Sequence, residues 1–380
     1  MKNFFIKSFI FLIFLLQLNL CLAQRIDVTE YGAIGNGKTD DTQSFIKAVN
    51  ELKRKYSSKN KPSVLYIPAG NYIISQSLEL DKYISITGEF TNISVLQLKS
   101  DNTPLVVLEN NMNESQIYNS YNYIKDITLL GPHHLTFFAD HATSTGGSGV
   151  GILVKGIRTR IEDVQIEGFN KAGIEVNNTY YTFITKTYLK NNGIGLLVTD
   201  TSTSVYLSLS ELRFNSIGIM IKNNSFGNFI NNNMIESNIA SYFPYDHSTS
   251  QTNTQSTGRG VVLSNSKATL LTNNYLENHF INFTIDSSSK NNITNNFYAI
   301  NNIMVTQDKN QIYLQMVGDS RENLISDNVY LTAENHLDPN KIIIENRDFS
   351  SNKINVGTGN TKLKVQLQKL ITSEKHRPQN

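Results

Sequence analysis

The chain has 380 residues, a formal net charge of +2 and only 17% charged side chains. So small a charge excess gives no electrostatic footprint for a nucleic-acid partner. Polarity comes instead from Asn, Ser and Thr, a composition that disfavours long solvated helices and suits strands and turns. Tryptophan is absent, while 18 Tyr and 19 Phe are available to fill a β core, and surface Tyr can stack on sugars.

The first segment is a targeting element. Lys2 and Lys7 flank an apolar stretch from Phe9 to Leu16, and Cys21-Leu22-Ala23-Gln24 follows. This is the pattern of a secretory signal peptide, with cleavage expected after Ala23 and a secreted or periplasmic mature protein. Gln17 and Asn19 interrupt the run, which is short for a membrane span. Lipoprotein anchoring through Cys21 is the lesser alternative, because Leu20 is a poor match before it. Cleavage after Ala23 removes the only cysteine, so the mature chain has no disulfide and must rely on core packing.

The mature start, Arg25-Ile26-Asp27-Val28-Thr29-Glu30-Tyr31, alternates as a strand and leads into the glycine-rich Gly32-Ala33-Ile34-Gly35-Asn36-Gly37-Lys38-Thr39. Asp40 or Asp41 then caps a helix whose apolar positions Phe45, Ile46, Val49 and Leu52 recur at helical spacing. Val64-Leu65-Tyr66-Ile67-Pro68-Ala69-Gly70-Asn71-Tyr72 reads as strand, turn and strand. The glycine-rich segment mimics part of a phosphate-binding loop but lacks its spacing, so a structural turn is the preferred reading.

These two motifs together resemble the entry of pectate-lyase-superfamily proteins, with a pectate-lyase-3-like N-terminal segment. The resemblance implies a single-stranded, right-handed parallel β-helix, all-β apart from a short capping helix within about residues 24–60. It also implies a carbohydrate substrate. Lyases, hydrolases, fructan-acting transferases and phage tailspikes share such an entry, so the chemistry stays open at this point. Some similar phage proteins form trimers, which makes a homotrimer one allowed assembly.

The rest of the chain carries a coil repeat. Gly193-Ile194-Gly195-Leu196-Leu197-Val198 returns as Ser216-Ile217-Gly218-Ile219-Met220-Ile221, 23 residues on. Leu189, Leu212, Ile235, Leu276 and Tyr298 form an inward column, preceded by Asn233, Asn274 and Asn296. Stacked amides hydrogen-bond from rung to rung, so these asparagines are read as structural. From Glu236 to Glu277 the step lengthens to 41, placing an insertion near 242–258. A second long loop, between Gly131 and Gly149, carries His133, His134, Asp140 and His141 without regular metal-ligand spacing. The β-helix is expected over 24–345, with 346–380 as a cap or tail.

The same register places Lys190, Arg213, Glu236 and Glu277 in one outward column, with rungs about 4.8 Å apart. A ladder of surface ion pairs is one reading. In a second, Arg213 or Lys190 neutralises a uronate carboxylate while His247, Tyr245 or Tyr242 of the insertion exchanges the proton, giving β-elimination as a polysaccharide lyase or a dehydratase at a terminal uronate. In a third, Glu236 and Glu277 are the carboxylate pair of a glycoside hydrolase, although Arg213 would hold Glu236 ionised. Arg259 and His279 join Lys190 and Tyr242 as candidate substrate-binding residues. Elimination on an acidic polysaccharide or oligosaccharide is the preferred expectation, and a non-catalytic glycan-binding β-helix remains a third class. The residues point to no certain cofactor. Calcium, held by some related lyases, is allowed, but two carboxylates are few for it.

Overall fold

The computed structural model describes residues 24–55, 62–81, 83–101, 104–108, 122–134, 149–238, 258–299, 312–331, 342–346 and 351–354. They form a right-handed parallel β-helix in which each turn contributes up to three strands. A representative turn runs Ile194–Thr199, Thr203–Ser208 and Glu211–Arg213. The first strand joins a ten-stranded sheet along one face, and the other two belong to a continuous sheet that wraps the remainder. All inter-rung pairing of named strands is parallel, mostly at a step of 22 or 23 residues.

The N-terminal entry forms as its residues demand. The helix spans Thr42–Lys55 and buries Phe45, Ala48, Val49 and Leu52 over the open end of the coil. The Asp40 carboxylate accepts from the Thr42 N–H at 3.0 Å and from its hydroxyl, and the hydroxyl bond holds its pKa below the ordinary value. Asp41 turns the other way, accepting from Ile34 N–H at 2.7 Å and Gly35 N–H at 3.1 Å. Gly35 has φ 65°, and a Cβ there would meet the Tyr72 ring at 2.7 Å. The glycine-rich segment is therefore a turn locked onto the cap.

Inside, Leu189, Leu212, Ile235, Leu276 and Tyr298 stack in register and are buried. Burying such side chains contributes about 1.5–3 kcal/mol each. Between the second and third strands the chain bends through a left-handed residue: Leu209 at φ 53°, Asn232 at 55°, Asn273 at 57° and Asn295 at 57°. The bend interrupts strand alternation and turns the next side chain into the core. Asn233, Asn274, Asn296 and Asn328 occupy that position, and each amide donates to the next at 2.9, 2.9 and 3.1 Å. Their amides also donate to backbone carbonyls, such as Leu207 at 3.0 Å, so these buried polar groups are well supplied with partners.

A second amide stack occupies the corner after the third strand. Asn192 donates to Asn215 at 3.1 Å, Asn215 to Asn238 at 2.8 Å, and Asn238 to His279 Nε2 at 3.0 Å. His279 is 0% exposed, and its Nδ1–H donates to Asn282 Oδ1 at 2.8 Å. The sheet also runs past residue 345, since Lys353–Ile354 pairs with Leu324–Ile325. No described helix is long and apolar enough to cross a membrane.

Candidate active site

The outer wall of the third strands carries two parallel columns. One is Tyr188, Glu211, Met234, Tyr275 and Phe297; the other is Glu167, Lys190, Arg213, Glu236, Glu277 and Ala299. The predicted charged column is thus present in the register expected, one residue per rung. It sits at the corner where the chain leaves the third strand for the ten-stranded sheet.

Arg213 is held between two carboxylates. It donates to Glu211 Oε1 at 3.1 Å and to Glu236 Oε1 at 2.9 Å, while its buried Nε has no hydrogen-bond partner among the described residues. Its guanidinium also lies 5.1 Å from the Phe214 ring centroid. Lys190 turns away from this group to Glu167, with Nζ 3.4 Å from Oε1. Such partly exposed ion pairs contribute about 0–1 kcal/mol to stability, so the arrangement is not explained by a need to hold the coil together.

Glu236 is the perturbed acid. Its side chain is 17% exposed, and burial raises its carboxyl above the ordinary range, opposed by Arg213 and reinforced by the charge of Glu277. Burial outweighs Arg213 in the direction of the shift, while the carboxyl remains paired with the guanidinium. On the next rung, Glu277 Oε2 accepts a 2.5 Å hydrogen bond from the Tyr275 hydroxyl. Burial and this carboxylate push the Tyr275 phenol upward, so it stays a donor across the neutral range.

Other expected site residues fall elsewhere. His279 is corrected from groove to core: it terminates the inner amide stack and is out of reach of a glycan. Burial lowers its pKa to about 4, consistent with a neutral ring that accepts at Nε2 and donates at Nδ1. Arg259 opens the first strand of the turn that ends at Glu277, in the ten-stranded sheet rather than on the wall of the charged column. Tyr242, Tyr245 and His247 lie outside the described residues. Tyr275 and Glu211, missed in the sequence, were legible as the residues two places before Glu277 and Arg213, hence on the same face of their strands.

Among the described residues no group of three or more His, Cys, Asp or Glu side chains converges. Glu236 and Glu277 are engaged by Arg213 and Tyr275, and calcium takes about six to eight oxygen ligands. This donor set does not fit calcium. The stacked rings of Phe183, Tyr206 and Phe229, with centroids 5.0 and 4.6 Å apart, spend their faces on one another and leave mainly edges outward. They stabilise the wall rather than offer a face for sugar stacking.

Comparison with known proteins agrees with this architecture. The family model for rhamnogalacturonase A/epimerase, pectate lyase-like, matches residues 25–242. The chain belongs to this carbohydrate-active, pectate-lyase-like family. Among curated proteins, a glucan 1,3-beta-glucosidase of Cochliobolus carbonum is 30% identical over 88 residues, 22% of this chain and 11% of that protein. A pre-neck appendage protein of Bacillus phage B103 is 31% identical over 126 residues, 32% of this chain and 13% of that protein. The chain thus matches only a small part of the length of these relatives. Among solved structures, a DFA-IIIase mutant from Arthrobacter chlorophenolicus A6 aligns with TM-score 0.60 and 15% identity, covering 93% of this chain and 90% of that one. The Dettilon tailspike protein gives 0.61 and 14%, covering 89% and 67%. At these identities the structural likeness establishes the fold.

Proposed function

We propose that this protein is a glycoside hydrolase in which Glu236 is the acid/base and Glu277 the nucleophile. The observation that carries this reading is the raised carboxyl of Glu236 one rung from Glu277. Rungs about 4.8 Å apart suit the ~5 Å carboxyl separation of retaining enzymes. Protonated Glu236 gives its proton to the leaving glycosidic oxygen as that bond breaks. Glu277 attacks the anomeric carbon, its other oxygen steadied by the Tyr275 hydroxyl. Ionised Glu236 then takes a proton from water, which displaces Glu277 and restores both carboxyls. Arg213 fixes the Glu236 rotamer and moderates its pKa.

The expected outcome is that Glu236→Gln and Glu277→Gln each lower kcat by about a hundredfold to ten-thousandfold while the fold persists. The assay is the release of reducing ends from a panel of glycans, with far-ultraviolet dichroism as the folding control. Full activity in either variant would remove the carboxylate-pair reading.

β-Elimination is the second reading, favoured by Arg213, a fixed cation in the charged column of the kind that neutralises a uronate carboxylate as an enolate forms. Elimination leaves an unsaturated uronate, so ultraviolet absorbance growing with bond cleavage would favour it over hydrolysis. Export after cleavage at Ala23 belongs to the same proposal, because polymeric glycans are met outside the cell. Amino-terminal sequencing of the exported protein should begin at Gln24.

A further inference from the structure

Two adjacent columns on the outer wall of the second strands carry no charge over six successive rungs. Ile184, Leu207, Ile230, Leu271, Ile293 and Ile325 point into the core, so their neighbours along each strand face outward. One outward column is Phe183, Tyr206, Phe229, Leu270, Asn292 and Leu324. The column beside it, from Thr185 to Ser326, contains only Thr, Ser and Asn. Charges begin where this panel ends. Arg160 and Glu162 precede Phe183 and Thr185 in their columns, and Lys353 follows Leu324. Lys267 and Arg321 stand along the corner where the second strands begin.

Exposed apolar side chains gather on the same wall. Phe183 is 36% exposed, Leu324 lies five rungs on, and Tyr181, Phe226 and Leu209 are exposed at the panel's edges. The surface of a lone chain normally intersperses charges of both signs, and a contiguous patch without them marks an interaction site. At about 4.8 Å per rung and about 3.3 Å per residue, the panel measures about 29 by 20 Å, roughly 600 Å². Two such faces would bury about 1,200 Å², the lower bound of stable, specific interfaces. An aromatic, uncharged centre inside a charged frame is also the anatomy of such an interface.

The occupant follows from the panel's chemistry and number. It offers nothing to a charged partner and complements another flat, uncharged sheet, packed face to face at about 10 Å. The third-strand wall carries the charged column instead, and the ten-stranded sheet exposes no large apolar side chain among the described residues. A closed ring of three needs two different complementary patches, whereas a single patch closes on itself about a twofold axis. We propose that a second copy of this chain docks on the Phe183–Leu324 panel, forming an isologous homodimer. The proposal is independent of the reaction assigned to Glu236 and Glu277.

The test is sedimentation equilibrium of the purified protein from about 0.1 to about 100 μM, which should show a monomer–dimer equilibrium with Kd inside that range. Ser208→Glu and Thr272→Glu change outward, half-buried hydroxyls of the panel. In an isologous contact each places a desolvated charge on both faces, so each should raise Kd about a hundredfold or more. Far-ultraviolet dichroism checks that the coil is intact, and two positions on different rungs keep the test decisive if one variant unfolds. Gln315→Lys, outward on the ten-stranded sheet between Leu314 and Met316, should leave Kd unchanged. A monomer at every concentration, a trimer as the resemblance allowed, a Kd untouched in folded panel variants, or equal weakening by Gln315→Lys would each overturn the proposal.

Discussion

At the scale of single residues, position relative to one bend decides what each polar side chain does. Glu277 and His279 are two places apart, yet one faces solvent beside Tyr275 and the other is sealed in the core. Their pKa directions follow. Glu236 is raised, so a mechanism that needs its protonated form loses activity as pH rises through that raised value. Arg213→Ala removes the opposing cation, raising Glu236 further; the alkaline limb of the kcat profile should move to higher pH. His279 has the opposite consequence for stability. Its folded pKa, about 4, lies below the unfolded value near 6.5, so the unfolded chain binds the proton more readily. Stability should be level above about pH 6.5 and decline between there and about pH 4, by roughly 3 kcal/mol in all. His279→Asn would continue the amide stack with a group that does not titrate. Urea melts across that pH range should show a flatter profile for this variant than for the parent.

At the scale of the element, each rung is a short strand whose energy lies in its stacking. The two amide stacks satisfy buried groups that no strand ladder can reach, because they sit at the bends. Asn274→Ala would orphan the buried Asn233 backbone N–H, which donates to the Asn274 Oδ1, at a cost of about 1–3 kcal/mol, while Asn296 Oδ1 keeps the Asn274 backbone N–H. Chemical denaturation should show that loss, whereas an exposed outer-wall change such as Met234→Ala should shift stability by no more than about 0.5 kcal/mol. The Asn233, Asn274 and Asn296 stack was legible in the sequence, since these residues precede the inward apolar column. The Asn192, Asn215, Asn238 and His279 stack keeps the same period two places after the charged column. It was missed because a histidine beside a carboxylate invites a chemical reading, whereas strict rung-to-rung equivalence with three asparagines would have placed it inside.

At the scale of the whole molecule, every turn contacts mainly its neighbours, so stability is close to a sum of rungs and interfaces. Deleting residues 194–216, one complete turn, should leave a shorter coil that retains its β signal and melts cooperatively. It should also destroy the site, because Arg213 is lost and Lys190 then meets Glu236 directly. The sequence by itself determined the coil, its period, the capping helix and the charged column, because parallel stacking converts a step along the chain into a step along the axis. Those features need only equivalence between rungs, and a period carries it. What the tertiary structure alone decided was which charges are satisfied and which are not. Arg213 is claimed by Glu211 and Glu236, Glu277 by Tyr275, and His279 by two amides. Pairing and dehydration depend on distances between side chains and on what covers them, and neither is contained in a repeat.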